Sequence, residues 1–304
     1  MSISMPGPLR GIISLSMYTL NTIFWAIQVF VVALAKLLIP FGAWRSVCDR
    51  VLNALASNWI AVNNLNQQLF SGINWDVKIT GTLENNNWYL VLANHQSWVD
   101  ILVLQRIFHR KIPFLKFFLK KELFWVPVLG LAWWALDFPF MQRYSKRFLE
   151  KHPHLVGKDF EITRKACAKF KTIPISVMSF VEGTRFTPEK HSAQKSPYTH
   201  LLKTRAGGIA LVLAAMGEKM QNILDVTIVY PNGAKSFWSF LCGEIDEVRV
   251  RVKALPVTAQ LQGDYVRDRA FRDRFHTWLN TLWTEKDRCI DQVLRHPHCD
   301  CGFG

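Results

Sequence analysis

Residues 11–35, "GIISLSMYTLNTIFWAIQVFVVALA", contain no charged side chain. At about 1.5 Å of rise per residue, a helix of that length reaches across a hydrocarbon core of about 30 Å. The chain is therefore expected to be held at a bilayer, and whatever it folds next has to work from there. Ser14, Ser16, Thr19, Asn21, Thr22 and Gln28 weaken the apolar character without interrupting it. The run is too long for the apolar part of a secretory signal, and no small-residue cleavage site follows it. Arg10 precedes it, while Lys36, Arg45 and Arg50 follow, a bias that places the carboxyl-terminal side in the cytoplasm. The expectation is a membrane-anchoring segment over 1–42, a single span, with the bulk of the protein inside the cell.

The charge balance points the same way. Thirty-seven Lys and Arg against 23 Asp and Glu leave a formal net charge of +14, which calls for an anionic partner. Nucleic acid is set aside, because there is no zinc-finger spacing, RNP-like strand or long basic arm. Twelve Trp suit a protein that touches anionic membrane lipids. The cysteines at 48, 167, 242, 289, 299 and 301 form no disulfide framework, so a reducing compartment is expected. The tail "RHPHCDCGFG" carries His296, His298, Cys299 and Cys301, but a frayed terminus is the plainer reading and no metal is expected.

After Pro40 and Gly42 comes a helical stretch, 44–71, in which Val47, Val51, Leu55, Trp59 and Val62 recur at helical spacing. It reads as an amphipathic connector over 43–74, lying in the interface or packed in a core. A compact domain over 75–304 follows. "WDVKIT" alternates as a strand, "NNN" at 85–87 turns, and "WYLVLA" is a short buried strand. A helix runs from about Ser97 to His109. Further on, "KDFEITRKACAKF", "TRAGGIALVLAAMG" and "DRAFRDRFHTWLNTLWTEKDRCIDQVL" read as helices, and "PISVMSFV", "LDVTIVYP" and "VRVRVKAL" as strands. That alternation predicts an α/β fold with helices on a sheet. Residues 123–136, "LFWVPVLGLAWWAL", are uncharged but too few to span, so they are core or interfacial. The Lys120–Lys121 doublet upstream suits the headgroup layer.

The chemistry centres on "NHQSWVD", 94–100. Ser97 and Asp100 have the spacing of a capping box, which would make His95 an incidental loop residue. If the chain before the helix curls back, His95 can instead accept a proton while Asp100 holds its other ring nitrogen. The two readings are compatible. In "SFVEGTRFTPEK", 179–190, Glu182, Gly183, Thr184 and Arg185 crowd one turn after a strand. Glycine there permits close approach of a ligand, and arginine grips a phosphate with two parallel hydrogen bonds. A charged surface turn is the structural alternative. Arg143 ends a third apolar stretch, "ALDFPFMQRYSKR", where it either binds an anion or snorkels.

His95–x4–Asp100, Arg143, the Phe180–Arg185 block and the Val226–Pro231 block stand in the order of one family's four motifs. The chain resembles the glycerolipid acyltransferases, the lysophosphatidic acid acyltransferase family, over roughly residues 75–260. "KKELFWVPVLG" and "LLKTRAGGIALVL" resemble its bacterial inner-membrane branch. Val181 and Thr227 stand where that family commonly has proline. The resemblance implies a mixed sheet flanked by helices and transfer of an acyl group from acyl-CoA or acyl-carrier protein to lysophosphatidic acid. It implies that His95 is the general base, Asp100 orients it, and Arg143 and Arg185 hold the acceptor phosphate. Glu182 is expected at the glycerol end, and Lys120 is a further candidate for the anion pocket. No cofactor is implied beyond the acyl donor. Another lysophospholipid, or glycerol 3-phosphate, is the alternative acceptor. A metal hydrolase built on His95 and Asp100 lacks a third ligand at ligand spacing. A vestigial scaffold would not keep every reactive position.

Overall fold

The computed structural model describes residues 5–39, 41–141, 158–170, 173–296 and 301. Among the described residues eight strands carry the domain: β1 Asn74–Thr80, β2 Tyr89–Ala93, β3 Leu115–Phe117, β4 Leu119–Lys120, β5 Phe140–Met141, β6 Ser176–Phe180, β7 Asn222–Val229 and β8 Glu247–Pro256. Six of them form one sheet in the order β1-β8-β7-β2-β6-β3, in which every pair is parallel except β7–β8. β4 and β5 form a separate two-stranded ribbon.

β2 explains why the sheet is layered. All five of its residues are buried, as expected of a strand covered on both faces. Leu90 and Leu92 join the core beneath the helices Lys158–Phe170, Ala206–Met216 and Arg269–Arg295. Tyr89, Val91 and Ala93 join a second core against the helix Val99–Phe108. The mixed sheet flanked by helices is thus present, and the carboxyl ends of the neighbouring strands β7, β2 and β6 meet side by side at one end of the sheet.

The amino-terminal part differs from its reading in sequence. Helix α1, Gly7–Leu38, is long and apolar enough to cross a membrane, and it is a candidate membrane anchor. It does not stand apart from the domain, however. Gly11, Ser14, Tyr18, Asn21, Val29 and Ala33 form a stripe buried against protein, while Ile12, Leu20, Ile23, Phe24, Ile27, Val31 and Leu34 face outward. The stripe meets helix α2, Gly42–Phe70, through amides. Asn21 Nδ2 donates to Asn63 Oδ1 at 2.8 Å and to the Trp59 carbonyl at 3.0 Å. Ser14 Oγ donates to Asn66 Oδ1 at 2.9 Å, and Asn66 Nδ2 returns a bond to the Ser14 carbonyl. Lys36 closes the hairpin by pairing with Asp49 on α2 and Asp137 in the domain.

Helix α1 is one arm of a helical hairpin packed along the domain. On α2, the stripe read from the sequence is half-exposed, and Val47 and Val51 face solvent. The buried stripe is Cys48, Leu52, Ala56, Ile60, Asn63 and Gln67. Its small and amide residues fit against the polar side of α1, which leaves Val47 and Val51 on the outer face. The 123–136 run divides into a short turn and the helix Leu129–Ala135, with Trp125, Leu131 and Trp134 exposed.

The tail also departs from the frayed, reduced end expected of it. Cys301 is buried and disulfide-bonded to Cys289 of the last helix. Cys48, Cys167 and Cys242 are buried.

Asn21→Leu removes both amide donors from the hairpin and leaves Asn63 Oδ1 buried without one. The expected loss is about 1–3 kcal/mol, read as a lower denaturation midpoint of the detergent-solubilised protein. An unchanged midpoint would mean that apolar packing alone holds the two helices.

Candidate active site

Where β2 ends, side chains take over from the ladder. The Asn94 amide accepts from the Ile228 N–H at 2.8 Å and donates to the Ile228 carbonyl at 2.9 Å, standing in for one more rung against β7. The backbone is then free to turn, and the turn after β6 catches it. The His95 N–H donates to Glu182 Oε1 at 3.0 Å, and the His95 carbonyl accepts from the Phe186 N–H at 2.7 Å. The imidazole stacks on Phe180, with centroids 3.8 Å apart and planes 11° from parallel.

His95 Nδ1 lies 2.8 Å from Asp100 Oδ2. Asp100 is fully buried, and its two oxygens meet four donors. Oδ2 also accepts from the N–H groups of Gln96 at 2.6 Å and Ser97 at 2.9 Å, while Oδ1 accepts from the Tyr230 hydroxyl at 2.6 Å. Both readings of the 94–100 stretch therefore hold together: one carboxylate ties down the backbone entering the helix and grips the imidazole. A carboxylate offers only acceptors, so Nδ1 carries the proton and Nε2 presents a lone pair. Among the described residues none hydrogen-bonds Nε2, and the imidazole keeps 12% of its surface exposed. Burial and the adjacent Asp100 hold the Tyr230 hydroxyl well above its ordinary pKa, so it remains a donor.

The Glu182 carboxylate, expected at the glycerol end, is buried and accepts from two backbone donors, His95 N–H and Leu202 N–H, each at 3.0 Å. Burial pushes its carboxyl up to about 7, against the pull of those two bonds. It joins the two turns as a strut. Gly183 has φ +69°, the left-handed conformation that the tight turn requires and a Cβ disfavours. Lys190 braces the same turn, donating to Thr184 Oγ1 at 2.9 Å and to the Arg185 carbonyl.

Arg185 is exposed, and its guanidinium lies 5.1 Å from the centroid of the exposed Trp98 ring. Stacking on that face leaves the guanidinium edge open to an anion. The fold thus brings His95, Asp100, Glu182, Gly183, Thr184 and Arg185 to the carboxyl end of the neighbouring strands β2 and β6. Lys120 is exposed on β4, in the separate ribbon. Arg143 lies outside the described residues. Among the described residues no group of three His, Cys, Asp or Glu is placed to hold a metal ion. Sequence reasoning gave no role to Tyr230, although it lies in a block already singled out, one residue past β7.

Residues 75–231 match the family model described as Acyltransferase. The mouse 1-acyl-sn-glycerol-3-phosphate acyltransferase delta is 24% identical over 219 residues, covering 68% of this chain and 53% of that protein. The 1-acyl-sn-glycerol-3-phosphate acyltransferase 3 of Arabidopsis thaliana is 23% identical over 221 residues, with 67% and 53% covered. The chain spans about half the length of these curated relatives. The crystal structure of the 1-acyl-sn-glycerophosphate acyltransferase of Thermotoga maritima overlaps 91% of this chain and 98% of its own at 14% identity, with a TM-score of 0.48.

Tyr230→Phe deletes one donor from the buried Asp100 and nothing else. Turnover is expected to fall about tenfold with substrate KM little changed, the size of one charge-assisted hydrogen bond. Steady-state kinetics on the folded variant measure it, and wild-type turnover would remove Tyr230 from the site.

Proposed function

Because the chain belongs to the acyltransferase family, we propose that it transfers a fatty acyl group from acyl-CoA or acyl-carrier protein to the free hydroxyl of lysophosphatidic acid, giving phosphatidic acid. The observation that carries this reading is the His95–Asp100 pair, with Nδ1 engaged and Nε2 bare, beside a turn that presents Arg185. His95 Nε2 takes the proton of the acceptor hydroxyl as that oxygen attacks the thioester carbonyl. The buried carboxylate steadies the imidazolium that forms. The tetrahedral adduct then collapses, the thiolate leaves, and the proton held on Nε2 passes to the sulfur. No covalent acyl-enzyme is needed, and the thiolate is a good enough leaving group that base and positioning suffice.

Arg185 holds the acceptor phosphate, with Arg143 and Lys120 as further cations for it, and Gly183 and Thr184 shape the turn against which it rests. No cofactor or metal enters the reaction. The outward stripe of α1, with Trp125 and Trp134, supports residence on a membrane rich in anionic lipid. On the charge bias of the flanks, that is the cytoplasmic face of a bacterial inner membrane. The matched relatives named as acylglycerol-phosphate acyltransferases support the acceptor.

Membranes from a host stripped of its own activity, carrying wild type or His95→Ala, are supplied with labelled oleoyl-CoA and lysophosphatidic acid. Loss of the general base is expected to lower the rate by about 10²–10⁴ at equal protein level. An active His95→Ala would sink the base assignment. A wild type that acylates another lysophospholipid in preference would replace the acceptor.

A further inference from the structure

The candidate active site lies past the carboxyl ends of β2 and β6. At the other end of the same parallel strands a second concavity opens. Asn85 before β2, Phe114 before β3 and Pro174 before β6 line a cavity of about 370 Å³, large enough for part of a lipid or a small metabolite. The five residues of β2, at about 3.3 Å each, put about 15 Å between the two. Helix α2 forms the facing wall through Arg50, Ala54 and Ser57. That wall is fixed to the domain, because His109 Nε2 donates to the Ser57 carbonyl at 3.0 Å.

Packing does not account for the polar groups here. Gln105 is buried and lines the cavity, and its Oε1 has no hydrogen-bond partner. A buried carbonyl oxygen left so costs about 1–3 kcal/mol, and a ligand hydroxyl would satisfy it. Arg50 and Arg110 line the same cavity from different elements, and both are exposed. Each donates only to a neutral oxygen, Arg50 to the Ser46 carbonyl and Arg110 to Asn58 Oδ1, so their charges remain available to an anion. Arg110 is held at φ +59°, a backbone region that is costly for a residue with a side chain. Beneath these groups Phe108, Ile112 and Leu115 give a buried apolar floor.

The surroundings of the mouth select the ligand. Val47, Arg50, Val51 and Ala54 recur at helical spacing and are all exposed, so they share one outer face of α2. Two of the four line the cavity and the other two are an apolar stripe leading to it. A soluble polyol phosphate would use the arginines and Gln105 but would leave that stripe bare.

We propose that this cavity binds the headgroup of a phospholipid that carries a free hydroxyl beside its phosphate. Arg50 and Arg110 take the phosphate, Gln105 Oε1 accepts from the hydroxyl, and the acyl chains lie along Val47 and Val51. None of these residues belongs to the candidate active site, so this lipid site does not depend on the chemistry proposed above.

The full chain in detergent is titrated with phosphatidylglycerol, and bound lipid is measured by native mass spectrometry. Phosphatidylethanol, of equal charge but without a headgroup hydroxyl, is the comparison, and glycerol 3-phosphate is the soluble competitor. Wild type is expected to bind phosphatidylglycerol about fivefold more tightly than phosphatidylethanol, the size of one hydrogen bond. Gln105→Met should abolish that preference without lowering the denaturation midpoint, since the oxygen it removes has no partner to lose. Arg50→Ala/Arg110→Ala should weaken both lipids about tenfold. Arg185→Ala, at the other end of the sheet, should leave phosphatidylglycerol binding as it is.

Equal affinity of wild type for the two lipids, or binding that the Gln105 and arginine variants leave unchanged, would overturn the proposal. Loss of binding in Arg185→Ala would move the lipid to the active site, and displacement by an equal concentration of glycerol 3-phosphate would make the ligand a soluble one. Either result removes the second lipid site.

Discussion

The Asp100 carboxylate is the interaction on which the rest of the structure depends. A carboxylate with no exposed surface costs several kcal/mol to desolvate and survives only where donors surround it. Its donors come from both ends of the domain's sequence: His95, Gln96 and Ser97 just before it, and Tyr230 130 residues later. They coincide only if β2 and β7 run parallel, in register, and stop at the same level. The pairing of Ala93 with Val226 and the side-chain rung from Asn94 to Ile228 provide that. The Tyr230 bond to Asp100 is therefore a consequence of strand register, and a slip of one residue would turn Tyr230 to the other face.

Charge is layered behind it. Glu182 ties the β6 turn to the β2 turn through the His95 N–H, and to the chain entering the helix Ala206–Met216 through the Leu202 N–H. Behind β7, Lys286 of the last helix is ion-paired with Asp225 and donates to the Val226 carbonyl. Removing a member of such a set costs more than the bond deleted, because the remaining charge is left buried without compensation. The imidazole itself contributes little to this network. It is gripped at Nδ1, at its backbone and on its face by Phe180, and the free nitrogen is what the arrangement leaves over for chemistry.

The regular parts of the fold were legible because they obey simple periods. "WYLVLA", "LDVTIVYP" and "VRVRVKAL" all fall on strands of the main sheet, and the helix expected over "KDFEITRKACAKF" is Lys158–Phe170. The His95 and Asp100 spacing was legible because both partners lie within one turn. Tyr230, the Glu182 strut and Lys286 were not, since each acts through a contact 60 or more residues away in sequence. The sequence marks these residues as polar without saying what they face. The Cys289–Cys301 bond was missed for a similar reason, because two cysteines at that spacing carry no pairing signal of their own.

The polar residues within α1 show how a defect in one signal can be information in another. Read for hydropathy, Ser14, Asn21 and Thr22 are weaknesses in a membrane span. Placed on the helix, they meet Asn66, Asn63 and Trp59 of α2, so that one side of α1 belongs to protein and the other is left apolar. An amide pair between helices resists separation wherever water is scarce, because each partner would otherwise be left without a donor or acceptor. A hairpin so joined cannot give both sides of α1 to lipid without breaking it. The apolar stripe through Leu20, Phe24, Ile27, Val31 and Leu34 is then the surface left to meet a bilayer. On the proposed reading this has a functional consequence: the catalytic domain, packed along the same hairpin, is held flat against the lipid from which its acceptor must come.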